Sequence, residues 1–198
     1  TEDLYGYKQH LFPIVQGCTY TDLRQEASKR LRDLDRDGYA IGGLAVGEPT
    51  EVMYDMIDVC NDILPENKPR YLMGVGTPWN ILEAIARGID MFDCVMPTRN
   101  GRNGMIFTWQ GVMNMRNKKW EDDFTELDPM GTSYVDHAYT RAYVRHLIHA
   151  QEMLGLQILS IHNLAFYLDL VTQARNHILS GDYNQWMASV MPAIMTRL

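Results

Sequence analysis

A carboxylate and a thiol stand side by side in the apolar segment Asp90-Met-Phe-Asp-Cys-Val-Met96, as Asp93 and Cys94. A carboxylate among apolar residues is costly unless it is hydrogen-bonded, paired or used in chemistry. Two arginines, Arg99 and Arg102, follow in a segment that glycine interrupts. The stretch therefore predicts a buried strand that ends at Asp93 and opens into a loop able to meet an anionic ligand. The residues alone are equally consistent with Asp93 as a carboxylate that caps the end of the strand.

A basic stripe extends from Arg99 to Lys119, a segment with no acidic residue. Although the formal net charge of −7 argues against nucleic acid as a partner, such a stripe could still contact phosphates. A solvated surface explains the same pattern equally well. The basic residues of the stripe are Arg99, Arg102, Arg116, Lys118 and Lys119.

The composition is that of an ordinary globular protein. The 198 residues, 46% apolar and 22% charged, suffice for one domain with a substantial core. The sequence has no unbroken apolar run long enough to span a bilayer, so we expect no membrane association. The three cysteines, Cys18, Cys60 and Cys94, are widely spaced. They predict free thiols in a reducing cytoplasm rather than a disulfide framework.

The first half of the chain alternates short apolar strands with helices, at a period of roughly thirty residues. Strands are predicted at 11–15, 38–43, 70–75 and 90–93, and helices at 21–34, 50–64 and 79–87. Such alternation is typical of parallel βα units in an α/β fold. In the first helix the apolar spacing predicts an inward face of Leu23, Ala27, Leu31 and Leu34.

Four residues of chemical interest, Gln16, Gly43, Gly74 and Asp93, fall at or just after the carboxyl ends of these strands. In α/β barrels that rim is where chemistry takes place. Four βα units make only half of an eight-stranded barrel, and a whole barrel takes about 250 residues. We therefore expect this chain to be the second half of a longer protein.

The pattern changes after Gly104. Alternating residues around Gln110-Gly111 predict a β-hairpin over 105–116, and helices are expected at 139–153, 164–180 and 183–197. The sequence has no linker that would mark a second independent domain. We therefore interpret 1–198 as one region, with βα units and the rim over about 11–104, an insert over about 105–163 and C-terminal helices over about 164–198.

Taken together, the motifs of this chain resemble those of the bacterial tRNA-guanine transglycosylases, also called queuine tRNA-ribosyltransferases. The likeness runs from about residue 11 to about residue 183 and includes Ser160-Ile-His-Asn-Leu164. The motifs occur in the order and spacing of that family. They are Ile14-Val-Gln-Gly17, Gly42-Gly-Leu-Ala-Val-Gly-Glu48, Tyr71-Leu-Met-Gly-Val-Gly76, and Asp90-Met-Phe-Asp-Cys94 with Pro97-Thr-Arg-Asn-Gly-Arg-Asn-Gly104.

The resemblance implies a fold and a reaction. The fold would be the C-terminal half of a modified (β/α)8 TIM-type barrel with an inserted β-hairpin and helical subdomain. The reaction would exchange guanine at the wobble position of tRNAs with a GUN anticodon for an aminomethyl 7-deazaguanine, the precursor of queuosine. By the same resemblance Asp93 is the nucleophile that forms a covalent ribosyl-enzyme, which the incoming base resolves.

The resemblance also implies roles for the neighbours of Asp93. Gln16 would hydrogen-bond the purine, which must be turned out of the RNA stack, and the backbone of Gly43 would donate to the carbonyl oxygen of that base. Arg99 and Arg102 would bind phosphates of the tRNA, a contact that gives affinity rather than base specificity. Val46 leaves less room than glycine and favours a small base. The remaining pocket residues would be Leu44, Ala45, Glu48, Tyr71, Met73 and Gly74.

The chain departs from the family at the structural zinc site, which is normally Cys-X-Cys-X-X-Cys followed later by histidine. The cysteine positions here hold Gly131, Ser133 and Asp136, and only His162 remains. We expect no zinc and no other cofactor, with His162 packing near or capping a helix that starts at Leu164. A metal site rebuilt from Asp136, His137 and His162 is the less favoured alternative, given the ligands that zinc prefers.

Two further expectations follow from the resemblance. Tyr139, Tyr143 and His146 lie at helical spacing in a segment that helps to form a homodimer in the family, although an ordinary half-buried helix face has the same pattern. The family's general acid/base aspartate belongs to the other half of the barrel. Because the leaving base needs a proton, we expect these 198 residues to be inactive alone.

Two other functions are alternatives to an enzyme of this kind. A non-catalytic subunit that binds tRNA or scaffolds a dimer would be expected to lose Asp93 and keep the zinc ligands, which is the reverse of this sequence. An unrelated barrel enzyme acting on phosphorylated metabolites could use Arg99 and Arg102 as an anion clamp. Such an enzyme has no evident use for the segment from Gly42 to Glu48.

Overall fold

The computed structural model describes residues 6–198, and these form two compact units. The first unit contains the described residues up to Gly76 together with Asn80–Cys94. The second contains Thr77–Trp79 and Val95–Leu198. Each unit has its own hydrophobic core.

The first unit is built on a four-stranded parallel sheet in the order β1-β2-β3-β4. The strands are β1 (Ile14–Val15), β2 (Tyr39–Ile41), β3 (Arg70–Leu72) and β4 (Met91–Phe92). Ala40 pairs with Ile14 on one side and with Tyr71 on the other. The predicted parallel βα units are therefore confirmed, although each strand is shorter than its apolar run.

Three helices connect these strands: α1 (Thr21–Arg32), α2 (Thr50–Asn61) and α3 (Pro78–Ala86). All three residues of β2 are buried, as expected for a strand covered on both faces. Beyond α3 the chain turns at Gly88, whose φ of +90° is the left-handed conformation that glycine adopts without strain.

The predicted inward face of α1 is only half right, because Ala27 and Leu31 do pack against the core of the first unit. Leu23 and Leu34 are 48% and 50% exposed, whereas Arg24 and Ser28 are fully buried. The Arg24 guanidinium reaches backbone carbonyls beneath the helix, and these hydrogen bonds hold the polar face against the sheet. A pattern that counts only apolar residues cannot detect such acceptors.

The second unit is a hairpin surrounded by helices. The hairpin strands β5 (Met105–Thr108) and β6 (Gly111–Asn114) pair antiparallel, as predicted. A short 3-10 helix, Lys118–Trp120, follows the hairpin. The helices are α4 (Met96–Arg102), α5 (Tyr134–Ala138), α6 (Arg141–His149), α7 (Met153–Ser180) and α8 (Tyr183–Ile194).

Two expectations for this unit are corrected. The arginine segment is the helix α4 rather than a glycine-broken loop, because Gly101 serves as a contact point and not as a breaker. A Cβ at Gly101 would lie 2.9 Å from the backbone of Leu159, so only glycine allows α4 to approach α7 this closely. In addition, α7 begins at Met153 and not at Leu164, which places His162 inside the helix.

Among the described residues, α7 is the one helix long and apolar enough to cross a membrane by length and composition. In the structure, however, 44% of its most apolar window is buried. His162 and Asn163 are fully buried in α7 and hydrogen-bond the backbone of β5. We therefore interpret α7 as the core helix of the second unit.

Candidate active site

Four segments of the first unit end at one edge of the parallel sheet. Gln16 directly follows β1 and Asp93 directly follows β4, while Gly43 and Gly74 lie two residues beyond β2 and β3. Since all four strands run in the same direction, their carboxyl ends meet at this edge. The fold thus places these residues together, as their spacing predicted.

The carboxylate of Asp93 is held by two donors. The Tyr71 hydroxyl donates to Asp93 Oδ1 over 2.6 Å, and the Gly74 backbone N–H donates to the same oxygen over 2.9 Å. The Tyr71 hydrogen bond, followed by that from Gly74, lowers the pKa of Asp93 below its ordinary value. Among residues 6–198, no hydrogen bond from another residue reaches Oδ2. One oxygen is therefore fixed and the other is available.

The burial predicted for Asp93 is wrong. The residue is exposed in the structure, because β4 ends at Phe92 and Asp93 already lies beyond the sheet. Its position is fixed by the donors on Oδ1 rather than by packing. The same hydrogen bond raises the pKa of the Tyr71 phenol, so Tyr71 supports the carboxylate as well as lying at the sheet edge.

The side chain of Gln16 lies against the glycine pair that follows β2. A Cβ at Gly43 would lie 2.5 Å from Gln16 Oε1, and one at Gly42 would lie 2.8 Å from Gln16 Nε2 and 3.4 Å from Met73 Sδ. Gly43 also has a φ of +65°, a conformation that favours glycine. The pair is therefore more than a turn, because it makes the space that the Gln16 amide occupies.

The loop beyond Gly43 is fastened by Glu48. Its two carboxylate oxygens accept the backbone N–H groups of Ala45 and Val46, the latter over 3.0 Å. Burial raises the pKa of Glu48, but backbone N–H donors outweigh this effect and the pKa is lowered. Leu44 is buried in the core, whereas Ala45 is exposed with a φ of +58°. Glu48 thus fixes the loop backbone from within the loop.

Comparison with known proteins identifies the family to which this arrangement belongs. The profile of the family described as "Queuine tRNA-ribosyltransferase" matches residues 1–195. The chain belongs to the queuine tRNA-ribosyltransferase family. Its likeness to the transglycosylases, inferred above from the motifs, is confirmed.

Curated relatives named queuine tRNA-ribosyltransferase support the assignment. The protein of Caulobacter vibrioides is 48% identical over 94% of this chain and 51% of its own length. Those of Ruminiclostridium cellulolyticum and Rhizobium meliloti are 52% and 51% identical, over 87% and 91% of this chain and 46% and 48% of their own lengths. The chain therefore spans about half the length of the curated relatives it matches.

The two arginines expected to bind phosphate lie in the second unit, on α4. Arg99 and Arg102 are exposed, and neither forms an ion pair with any carboxylate in the described part of the chain. Arg116, from the same basic stripe, donates its Nε to the carbonyl oxygen of Asn103 over 3.2 Å. The stripe thus presents the Arg99 and Arg102 guanidinium groups without an acidic partner among residues 6–198.

The former cysteine positions hold a hydrogen-bonded network in place of metal ligands. Asp136 Oδ1 lies 2.5 Å from His162 Nδ1, and Asp136 Oδ2 accepts the Ser133 backbone N–H over 2.8 Å. The Nε2 atom of His162 lies 2.9 Å from the Phe107 carbonyl oxygen. A Cβ at Gly131 would lie only 2.2 Å from Asp136 Oδ2, so the carboxylate fills the space beside that residue. Both ring nitrogens of His162, the one residue that matches a zinc ligand of the family, therefore have hydrogen-bond partners in the protein.

The alternative metal site does not assemble in the structure. His137 turns its ring nitrogens to Glu126 Oε2, at 2.9 Å, and to the Gly131 carbonyl oxygen, at 3.1 Å. Within residues 6–198, no group of three or more histidine, cysteine, aspartate or glutamate side chains could hold a metal ion. The residues at the family's zinc positions therefore do not fit zinc.

The residues expected to form a dimer patch lie around the start of α6. The rings of Tyr139 and Tyr143 are stacked, with centroids 5.9 Å apart and an interplanar angle of 18°. Tyr143 and His146 are exposed, while Tyr139 precedes the helix and is partly buried. The homodimer itself stays a prediction.

Sequence reasoning missed two roles in the first unit. Tyr71 was expected to line the base, and its hydrogen bond to Asp93 could not be inferred from spacing. Arg24, inside a helix, was not singled out at all, although its guanidinium is fully buried beside the Gly43 loop. A useful signal would have been an arginine in the first turn of the helix that follows a strand and a glycine, since Arg24 is the fourth residue of α1 and Gly17 precedes that helix.

Proposed function

We propose that this chain carries the nucleophile and the base-recognition loops of a tRNA-guanine transglycosylase. It would form the C-terminal part of a modified (β/α)8 barrel with an inserted hairpin and helical subdomain. The proposal depends above all on Asp93, an exposed carboxylate at the sheet edge with a lowered pKa and both of its donors on Oδ1. A carboxylate that stays ionised and keeps one oxygen available is suited to attack carbon.

The proposed reaction takes place in two displacements at C1′ of the ribose. An oxygen of Asp93 bonds to C1′ while the bond from C1′ to N9 of guanine breaks, and N9 takes the electron pair and a proton. N9 of the incoming 7-deazaguanine then loses its proton and bonds to C1′, which releases the carboxylate. Dividing the exchange in this way avoids a single difficult substitution.

Base selection would come from the loops that follow β1, β2 and β3. The Gln16 amide lies beside the Gly43 backbone, so amide and backbone groups can together read the edge of a purine. Met73, with Leu44 and Ala45 as backbone contributors, would complete the pocket, and Glu48 would hold the Ala45 and Val46 N–H groups in place. A wrong base would leave these polar groups unpaired, and unpaired buried groups give strong discrimination.

The tRNA would be held through its phosphates by Arg99 and Arg102. Both are exposed and unpaired with acids among the described residues, as a phosphate contact requires. Such contacts position the nucleic acid without reading its sequence, which suits an enzyme that finds its target base through the anticodon. The proposed partners are therefore a GUN-anticodon tRNA, the deazaguanine base and a second copy of the protein.

The activity is proposed for the whole protein and not for this chain alone. The chain covers about half of each relative, and the family resemblance puts the acid that protonates guanine in the other half of the barrel. We propose that the remaining half supplies this acid and that the 198 residues do not exchange guanine by themselves. We also propose that the family's zinc positions bind no zinc in this chain, since Asp136 and His162 form a hydrogen-bonded network there.

The decisive test is an assay of labelled guanine exchange into a GUN-anticodon tRNA by the full-length protein. We expect Asp93→Asn to abolish exchange, by about 10³-fold or more, together with the covalent tRNA adduct seen on a denaturing gel. Asp90→Asn is the matched control, because Asp90 accepts the Arg70 backbone N–H at the other end of β4 and an amide oxygen can replace it.

Three results would contradict parts of this proposal. Normal exchange by Asp93→Asn would remove the nucleophile, and exchange by the 198-residue chain alone would remove the need for the other half. Binding of the tRNA without any exchange by the full-length protein would favour a non-catalytic subunit.

A further inference from the structure

The guanidinium of Arg24 has surroundings that are unusual for a buried charge. The residue is fully buried at the inner face of α1, and within the described residues it forms no ion pair. Its Nε donates to the Cys18 carbonyl oxygen over 2.7 Å, and its Nη2 donates to the Gly43 carbonyl oxygen over 3.2 Å. Nη1 has no hydrogen bond to any described residue.

Packing alone does not account for an arginine at this position. Burying a charge without a counter-charge is costly, and an apolar side chain of similar volume is usually the more stable choice. Leu23, the adjacent residue, is turned outward and is 48% exposed. The helix therefore exposes an apolar residue and buries a charged one.

The two carbonyl oxygens bound by Arg24 belong to the two loops that would hold the base. Cys18 lies two residues beyond Gln16, and the Gly43 carbonyl belongs to the peptide that also carries the Leu44 N–H. Fixing that carbonyl fixes the orientation of the peptide plane, because the unit is planar. Arg24 thus joins the Gln16 loop to the Gly43 loop from beneath.

The backbone around this contact is shaped to allow it. At Gly17 a Cβ would lie 3.0 Å from the Arg24 backbone nitrogen and 3.2 Å from Arg24 Cγ, so glycine lets the loop approach α1. A Cβ at Gly43 would lie 3.8 Å from Arg24 Nη2 and 2.5 Å from Gln16 Oε1. Gly43 therefore lies between the Gln16 amide and the guanidinium.

We propose that Arg24 is a positioning residue for base recognition, which holds the Gln16 and Gly43 loops in register through their carbonyl oxygens without touching the base. The inference rests on the proposed function, because it assigns a purpose to those loops. Selective binding requires that the residues contacting the ligand are held rigidly by the residues behind them. Loss of the guanidinium should then weaken binding of the base more than it slows the chemistry at Asp93.

The test compares Arg24→Met and Arg24→Lys in the full-length protein. With tRNA saturating, we expect Arg24→Met to raise the KM for free guanine by about ten-fold or more while kcat falls much less. The KM of Arg24→Lys for guanine should lie between those of the wild type and Arg24→Met. The lysine ammonium keeps the charge but lacks the planar fork of donors. Arg30→Met is the matched control, since Arg30 lies on the exposed face of the same helix and pairs with Glu26.

Thermal unfolding of each variant separates positioning from stability. A raised KM in a variant that melts close to the wild type supports the proposal. An unchanged KM in either folded variant overturns it, and so does failure of both variants to fold, because the role is then purely structural. Absence of exchange by the wild type, by contrast, would overturn the proposed function and not the Arg24 assignment alone.

Discussion

Asp93 and Asp136 show two opposite uses of a carboxylate in one chain. Asp93 is exposed, and both of its donors, Tyr71 and Gly74, bond to the same oxygen. Asp136 is 1% exposed, with one oxygen beside His162 and the other accepting the Ser133 backbone N–H. The buried Asp136 therefore has both oxygens engaged by protein, whereas the exposed Asp93 keeps one oxygen free among the described residues.

The comparison also shows which contacts the residues at the family's zinc positions make with one another. A zinc ion would have joined the segment around residues 131–136 to α7. Here the Asp136 carboxylate makes that connection directly, and His162 extends it to the Phe107 carbonyl of the hairpin. Two side chains therefore connect three segments that a metal ion would otherwise hold.

The largest effect is expected at Asp136. Asp136→Ala should lower the unfolding free energy of the second unit by about 3–5 kcal/mol, because it leaves His162 buried without its partner. Urea denaturation followed by tryptophan fluorescence measures this unit specifically, since all four tryptophans (Trp79, Trp109, Trp120 and Trp186) belong to it. Asp93→Ala is the control and should change stability by no more than about 0.5 kcal/mol. Equal losses of unfolding free energy in Asp136→Ala and Asp93→Ala would refute the contrast between the two carboxylates.

A smaller effect is expected at Gly131. Gly131→Ala would place a methyl group 2.2 Å from Asp136 Oδ2, so the carboxylate must move away from His162 or from Ser133. We expect a loss of about 1–3 kcal/mol, typical of overpacking, in the same fluorescence experiment. Gly181→Ala offers a comparison, since a Cβ there meets nothing within 4 Å and any loss reflects its φ of +79° alone. If Gly131→Ala leaves the unfolding free energy unchanged, the network tolerates displacement of the Asp136 carboxylate.

Tyr71→Phe should produce a modest change that is specific to Asp93. Removing the hydroxyl removes the largest cause of the lowered pKa, so the pKa of Asp93 should rise toward 3.8. Because the proposed exchange needs the ionised carboxylate, the acid limb of the full-length protein's rate profile should move to higher pH, with little change near pH 7. Tyr54→Phe, whose hydroxyl instead donates to Asn80, should leave the limb in place. If the acid limb of the pH–rate profile stays in place in Tyr71→Phe, the Tyr71 hydroxyl does not control the pKa of Asp93.

The smallest effect is expected from metal removal. A chelator should leave the thermal midpoint unchanged, and elemental analysis of the purified protein should find zinc far below one atom per chain, whereas zinc-dependent domains lose their fold under chelation. Restoring cysteine at positions 131, 133 and 136 provides the positive control, since His162 would then complete a ligand set of the usual type. Stoichiometric zinc in the unmodified protein would contradict the network.

The sequence predicted the scaffold of the site better than its details. The four strands and their common edge were predictable, because each is a short apolar run that ends near glycine or a polar residue. The inward face of α1 was only half predictable: Ala27 and Leu31 pack inward as expected, but Arg24 is held by carbonyl oxygens that no periodicity reveals. Gly101 was misread as a breaker because its role depends on α7, which lies more than fifty residues further along the chain. Exposure of Asp93 likewise depends on where β4 ends.

The hydrogen bonds of Arg24 have a consequence for the order in which the first unit forms. The acceptors of its guanidinium are loop carbonyls of Cys18 and Gly43, so α1 cannot dock favourably until both loops have reached their final shape. Helix docking and loop ordering are then one cooperative event, and local opening of either should release the other. The segment that would receive the base is thereby tied to α1, so we expect its opening to be coupled to that of the helix.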